Sequence, residues 1–148
     1  MAHSDTHDDL WHYSYAHLYV NDSILKTSIL EMNTKESIDW ASLPFGYLKT
    51  DYNVRASFID GKWSEIEVSD SEMVNIHMAS TCLHYGQEIF EGMKAFKGVD
   101  GVVRIFRPEE NLKRIQDSAK GLMMEPIPSE LFLEMVKKVV KLNERFVP

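Results

Sequence analysis

Apolar residues recur at helical spacing in the last third of the chain. After Pro108, which suits the first turn of a helix, four of them follow at steps of three, four and three: Leu112, Ile115, Ala119 and Leu122. Glu109 and Glu110 suit the positive end of the helix dipole, and we expect Gly121 to mark the end of the helix.

A second helix is predicted after Pro126 and Pro128, with Ser129 as its cap. Its expected buried face consists of residues at alternating steps of three and one: Phe132, Met135, Val136, Val139, Val140 and Asn143. Lys137, Lys138 and Lys141 fall on the other side and are expected to face solvent.

Shorter segments upstream alternate between apolar and polar residues, which predicts strands. Segments 54–60 and 63–68 flank Asp60-Gly61, a strong hairpin signal, with Trp63, Ile66 and Val68 as packing residues. Segments 93–96 and 102–106 flank Asp100-Gly101 in the same way. Because hairpins pair strands antiparallel, we expect a small α+β domain whose hairpins form a sheet covered by the two C-terminal helices.

Two further helical segments are predicted between the hairpins. Ser69 and Glu72 match a capping box, so a short helical turn is expected after them. Residues 83–91 are expected to form a helix that Gly92 ends.

Composition and charge narrow the class of protein. Of the 148 residues, 44% are hydrophobic and the net charge is −7, which is ordinary globular composition and argues against nucleic acid or an anionic membrane as a partner. The single cysteine, Cys82, excludes an intrachain disulfide and a cysteine zinc site. With no targeting or membrane segment in view, we expect a cytoplasmic protein.

Residues 1–32 differ from the rest of the chain. They hold a cluster of histidines whose spacings of four, five and five match no regular zinc pattern: His3, His7, His12 and His17. A mobile N-terminal extension is favoured over a metal site, and residues 33–148 are taken as the folded domain.

Common catalytic motifs are missing from the sequence. It has no phosphate-binding P-loop, no GxGxxG, no HExxH and no GxSxG. Cys82 and His84 lie two residues apart, which favours a buried cysteine and a structural histidine over a nucleophile pair.

Arg107 and Arg114 are seven residues apart, so one helix face could carry both, away from Leu112 and Ile115. Such an arginine could bind phosphate at the rim of a pocket, although spacing alone favours an ordinary solvated side chain. A set of aromatic residues is expected to pack in the core, with a bend between the second and third: Phe45, Tyr85, Phe90 and Phe96. These patterns predict no particular reaction.

Three strings are more specific: LPFGYLKTDY (43–52), LHYGQEIFEGMKAFKG (83–98) and RIFRPEENLKR (104–114). In this order they resemble the branched-chain-amino-acid aminotransferases, which are class-IV aminotransferases of fold type IV that use pyridoxal 5′-phosphate. The resemblance covers roughly residues 38–148. It implies transamination of leucine, isoleucine and valine with 2-oxoglutarate by a homodimer.

The resemblance also implies roles for individual residues. Arg114 matches the arginine that grips the cofactor phosphate, while Phe45, Tyr85 and Phe90 match the aromatic wall of the substrate pocket. Tyr85 would serve the pocket of the opposite subunit. An apolar, aromatic pocket suits branched alkyl side chains.

The family's Schiff-base lysine has no counterpart here, because it lies in a second, larger domain beyond residue 148. We therefore expect the smaller N-terminal domain of such an enzyme, inactive alone. Two alternatives remain: a D-amino-acid aminotransferase or aminodeoxychorismate lyase of the same fold, against which the FGYLKTD and KAFKG strings argue, and a non-catalytic domain that only dimerises.

Overall fold

The computed structural model describes Ile38 and residues 46–148. Two long helices dominate its C-terminal part: α2 spans Pro108–Gly121 and α3 spans Ser129–Leu142, followed by a short 3-10 turn at Glu144–Phe146. A shorter helix, α1, spans Thr81–Tyr85. Both long helices lie where the apolar spacing predicts them, and α2 begins at Pro108 and ends at Gly121 as expected.

Six short strands precede or separate these helices in the described part of the chain: β1 (Asn53–Arg55), β2 (Phe58–Ile59), β3 (Lys62–Trp63), β4 (Glu67–Ser69), β5 (Ala95–Lys97) and β6 (Val103–Ile105). They pair antiparallel as β1 with β4, β2 with β3 and β5 with β6. The α+β class is confirmed. The expected single sheet is wrong, because the pairs form three separate two-stranded sheets among the described residues.

The first hairpin shows why its two predicted long strands are interrupted. Asp60 and Gly61 both have positive φ (51° and 76°), as a two-residue hairpin turn requires, so the predicted turn is confirmed. Beyond β2 and β3, the Ser57 N–H donates to Ser64 Oγ at 3.0 Å instead of to a backbone carbonyl. This side-chain bond divides each predicted strand in two. Val68, in β4, is 40% exposed, contrary to expectation.

Helix α1 is shorter than the helix predicted for 83–91. It ends at Gly86, whose φ of 62° and ψ of 28° lie in the left-handed region that glycine adopts without steric cost. The sequence predicts Gly92 as the glycine that ends this helix, six residues after Gly86, which ends it in the structure. Residues 86–94 carry no helix or strand.

Two predicted helix caps are also wrong. After Ser69 no helix follows, because its Oγ accepts the Ser71 N–H at 3.1 Å and Ser71 Oγ accepts the Met73 N–H at 3.1 Å. Serine side chains that bond locally in this way compete with helix formation. Ser129 is the first residue of α3, and the capping position belongs to Pro128.

The core lies between α3, α2 and β1. Phe132, Met135 and Val136 of α3 are at most 1% exposed, and they pack with a set of buried residues from the other elements: Val54, Ala56, Leu112, Ile115 and Ile127. Trp63 and Ile66 pack against this cluster from outside, as expected. The core therefore holds α2 in place against α3 and leaves the opposite face of α2 to the surface.

The end of α3 is tied to the segment before β1. The buried Asn143 accepts the Tyr52 N–H at 3.0 Å and donates to the Tyr52 carbonyl at 2.9 Å. Arg145 donates to both carboxylate oxygens of Asp51, at 2.5 and 2.6 Å, which lowers the pKa of Asp51. Among the described residues, no helix is long and apolar enough to cross a membrane.

Candidate functional site

A surface cleft of about 360 Å³ lies beside the first half of α2. It is lined by the loop before β5, by β5 itself and by the junction between β6 and α2: Gly92, Met93, Lys94, Phe96, Phe106, Arg107, Glu110, Asn111 and Arg114. Three of these residues are cations and one is an anion. Such an excess of positive charge favours an anionic ligand.

Arg107 and Arg114 line this one cleft together. The seven-residue spacing suggests one helix face for both, but Arg107 precedes α2 with a left-handed backbone, so the two share the cleft without sharing a helix face. Leu112 and Ile115 are buried at 7% and 6% exposure on the opposite side of α2, as expected. The core therefore sets the rotation of the helix, and this rotation brings Arg114 to the cleft.

Arg114 is joined to Glu91, which lies in the loop before β5. Its Nε donates to Glu91 Oε2 at 3.0 Å and its Nη2 donates to Glu91 Oε1. The Glu91 side chain is 10% exposed, while that of Arg114 is 62% exposed. The pair therefore consists of a sheltered carboxylate beneath an accessible guanidinium.

A buried amide holds the carboxylate from the other side. Asn111, which is 8% exposed, donates through Nδ2 to Glu91 Oε1 at 2.9 Å and to the Gly92 carbonyl at 2.9 Å. Because Asn111 and Arg114 lie three residues apart on α2, the helix reaches Glu91 with both side chains. The three residues form one network, which we call the Glu91 network.

This network shifts the acidity of its members. The hydrogen bond from Arg114 is the main cause that lowers the pKa of Glu91 below its ordinary value of 4.5, with Asn111 adding to the effect. The same hydrogen bond raises the pKa of the Arg114 guanidinium further above its ordinary value. Both groups are therefore charged at neutral pH.

The lowered pKa of Glu91 makes part of the folding stability depend on pH. A carboxyl group with a lower pKa in the folded state contributes its stability above the unfolded pKa and loses it as the pH falls through the folded pKa. Thermal unfolding should therefore show the unchanged chain to be more stable than Glu91→Gln at pH 7. The difference in stability between the two proteins should shrink below about pH 4.5. Glu109→Gln, an exposed control on α2, should show no such convergence, and a difference independent of pH would contradict the ion pair.

Arg107 has an unusual backbone at the mouth of the cleft. Its φ of 47° and ψ of 54° are left-handed, a region that residues other than glycine seldom occupy, and it caps the N-terminus of α2. Its Nη2 donates to Glu110 Oε1 at 2.9 Å. The turn between β6 and α2 thus directs this side chain back along the first turn of the helix.

The predicted aromatic residues are dispersed. Tyr85 is 84% exposed at the end of α1 and Phe90 is 66% exposed in the loop before β5, with the expected bend between them at Gly86. Neither lines the cleft of Arg114, whereas Phe96 does. The core packing expected for these aromatics is wrong for all three, since Phe96 is 52% exposed. Phe45 and the 1–32 extension lie outside the described residues.

Other predicted sites show no catalytic arrangement in the described part. Cys82 is half-buried with its Sγ 3.1 Å from Ser80 Oγ, and His84 Nε2 lies 2.7 Å from the Met78 carbonyl oxygen, so the two are not paired with each other. No cluster of metal-ligating side chains occurs among the residues searched, which are the described ones. A second cleft of about 390 Å³, between β6 and α3, is mainly aliphatic.

Sequence reasoning missed Glu91 and Asn111. Both stand in the strings that carry the resemblance, FEG and FRPxxN, but the resemblance implies roles only for their neighbours Phe90 and Arg114. One signal was available, because Asn111 is polar on the buried side of an amphipathic helix, where a side-chain amide needs partners. Its partner, twenty residues away along the chain, could not be read from that pattern.

The fold and the cleft define a small α+β unit that presents an accessible arginine in a positively charged cleft, suited to a phosphate or carboxylate ligand. Over about three quarters of its length, the sequence is similar to those of branched-chain-amino-acid aminotransferases. No protein-family model matches the chain.

Three of these relatives illustrate the similarity. The chain is 45% identical over 109 residues to the branched-chain-amino-acid aminotransferase of Haemophilus influenzae, covering 74% of this chain and 32% of that protein. It is 39% identical over 116 residues to that of Helicobacter pylori, covering 78% and 34%. It is 36% identical over 115 residues to branched-chain-amino-acid transaminase 1 of Bacillus subtilis, covering 77% and 32%.

The chain thus spans about a third of the length of the curated relatives it matches. These sequence identities confirm the resemblance inferred from the three strings.

Proposed function

We propose that these residues form the smaller, N-terminal domain of a pyridoxal 5′-phosphate-dependent aminotransferase of fold type IV. In the complete protein it would transfer the amino group of leucine, isoleucine or valine to 2-oxoglutarate. The observation that carries the proposal is the sequence identity of 36–45% to proteins named as branched-chain-amino-acid aminotransferases or transaminases. The position of Arg114 at a cationic cleft supports it independently.

The residues of the cleft fit the phosphate of this cofactor. Lys94, Arg107 and Arg114 contribute three positive charges to the lining and Glu110 one negative charge. A guanidinium can donate two parallel N–H···O bonds to a phosphate, which an ammonium cannot. Arg114 would hold the phosphate, and Arg107 and Lys94 would add to the positive potential around it.

When bound, the cofactor supplies an electron sink that stabilises negative charge at the substrate Cα. This chain contributes binding and orientation, because the core-packed α2 fixes where Arg114 stands relative to the domain. The lysine that holds the cofactor covalently, and later moves the Cα proton, would come from the second domain.

The exposed aromatics fit a pocket completed by another part of the assembly. Tyr85 and Phe90 place large apolar surfaces in solvent, at 84% and 66% exposure, and such surfaces commonly mark contacts with other chains or ligands. We propose that they, with Phe45, form an apolar wall for the branched substrate side chain, in a homodimer where Tyr85 serves the opposite subunit. We also propose that the complete enzyme is located in the cytoplasm.

A substrate comparison tests the reaction. The complete protein, loaded with pyridoxal phosphate, should transfer the amino group of L-leucine to 2-oxoglutarate far faster than that of D-alanine, because the aromatic wall binds the branched alkyl group. Preference for D-alanine, or release of pyruvate from aminodeoxychorismate, would assign a different reaction of the same fold. If the complete protein transfers the amino group of no amino acid, the alternative of a non-catalytic dimerising domain is favoured.

The 148-residue chain alone provides the complementary prediction. Because no lysine in it matches the family's lysine, incubation with pyridoxal phosphate and leucine should yield no transamination. Borohydride reduction followed by peptide mass analysis should show no single dominant modified lysine. A stoichiometric adduct at one lysine of this chain would contradict the proposal that the second domain supplies this group.

A further inference from the structure

The Glu91 network contains an arrangement that cofactor binding by Arg114 does not by itself explain. A carboxylate already takes two hydrogen bonds from the guanidinium that is proposed to hold a phosphate. Two consequences are conceivable. Glu91 either competes with the phosphate for Arg114, or it holds Arg114 in the orientation that the phosphate needs.

The donor geometry allows both anions to bind at once. Glu91 uses Nε–H and one hydrogen of Nη2 on Arg114. A guanidinium carries a second hydrogen on Nη2 and two on Nη1, which point away from the Nε edge. A phosphate can therefore take two parallel bonds from the opposite edge while Glu91 keeps its own.

The position of Glu91 argues against competition. Its side chain is 10% exposed and does not line the cleft, so it lies behind the arginine and not where a ligand would sit. Asn111 fixes the carboxylate at 2.9 Å and also bonds the neighbouring Gly92 carbonyl. A carboxylate that a buried amide fixes in this way can hold the guanidinium of Arg114 in one orientation.

The Arg114 side chain is 62% exposed. Without Glu91 it would stay free to move until the phosphate binds, and it would lose this freedom on binding. Ordering a long side chain in advance removes that cost from the binding step. Resting on the proposed function, we propose that Glu91 is a positioning residue, which holds the Nε edge of Arg114 so that the opposite edge receives the phosphate.

The two alternatives predict opposite signs for one substitution. Glu91→Gln removes a negative charge beside the phosphate, so electrostatic attraction alone predicts tighter binding. Positioning predicts weaker binding, by about 3- to 10-fold, because a neutral amide offers one acceptor oxygen in place of two and releases the guanidinium. Glu109→Gln removes the same charge from an exposed position on α2 and should leave the affinity nearly unchanged.

The probe is inorganic phosphate, added at constant ionic strength to the ¹⁵N-labelled 148-residue chain. The affinity is read from the arginine Nε–H signals in NMR spectra, with Arg114→Ala identifying the signal of Arg114. In the unchanged chain this signal should stay slowly exchanging with water at saturating phosphate, because the bond to Glu91 persists. This measurement needs no folded variant at Glu91.

Each outcome decides one point. Equal or tighter phosphate binding by Glu91→Gln, or rapid exchange of the Arg114 Nε–H on binding, would overturn the positioning role and leave the proposed function standing. If the unchanged chain and Arg114→Ala respond to phosphate alike, the anion site itself is wrong. In that case the phosphate-binding part of the proposed function fails, and the role of Glu91 with it.

Discussion

Replacing Arg114 by alanine is expected to weaken the binding of pyridoxal phosphate to the complete enzyme by roughly 10- to 100-fold, because the phosphate loses two charge-assisted hydrogen bonds. The side chain stands in the cleft with its guanidinium accessible, and the adjacent Leu112 and Ile115 face the core. Removal of the exposed part of Arg114 should therefore affect the ligand much more than the fold.

Two further variants separate charge from geometry. Arg114→Lys should recover only part of the affinity, because an ammonium keeps the positive charge and loses the planar pair of donors. Lys113→Ala removes a neighbouring exposed charge that does not line the cleft, and it should bind the cofactor as the unchanged enzyme does. Titration of all four proteins by fluorescence or absorbance measures the series. Equal affinity of Arg114→Ala and Lys113→Ala would make Arg114 an ordinary surface residue.

Replacing Phe132 by alanine is expected to destabilise the 148-residue chain by about 3–5 kcal/mol, the usual cost of removing a fully buried aromatic side chain. Phe132 is 0% exposed and lies with Met135 and Val136 where α3 meets β1 and α2. The loss combines the transfer of apolar surface to water with the cavity that remains, which neighbouring side chains only partly fill.

Urea unfolding followed by circular dichroism measures this effect. Phe106→Ala, at a phenylalanine that is 77% exposed, is the matched control and should change the stability by no more than about 0.5 kcal/mol. If Phe132→Ala does not fold, Phe132→Leu, which keeps most of the side-chain volume, should still fold with a smaller loss of stability. Similar stabilities of Phe132→Ala and Phe106→Ala would contradict the described core.

The parts of the fold that sequence reasoning predicted correctly depend on local chemistry. The steps of three and four in α2, together with Pro108 and Gly121 at its ends, need no information from elsewhere in the chain. The same holds for the turn at Asp60-Gly61, because few residues accept positive φ at both positions. Arg114 faces the cleft because the helical spacing of Leu112 and Ile115 fixes the rotation of α2, whereas Arg107 reaches the same cleft through its left-handed turn before the helix.

The errors arise where a local signal has two outcomes. Ser69 can cap a helix or close a turn with Ser71, and the sequence pattern is the same for both. Gly86 and Gly92 can each end a helix, and the sequence pattern does not distinguish them; in the structure Gly86 takes the left-handed conformation.

The Glu91 network could not be predicted for a different reason. The contact between Glu91 and Arg114 spans 23 residues, and it forms only after the β5–β6 hairpin brings the loop back to α2. Periodicity within each element contains no information on such a contact. The resemblance identified the arginine, and only the structure showed what holds it.

The proposed role of Arg114 is to bind the phosphate group of the cofactor. The most direct test compares pyridoxal 5′-phosphate with pyridoxal, which lacks the phosphate, in the complete enzyme and its Arg114→Ala variant. We expect the substitution to weaken the binding of pyridoxal phosphate by roughly 10- to 100-fold and to leave the binding of pyridoxal unchanged. Equal loss of affinity for both ligands, or no loss for either, would contradict it.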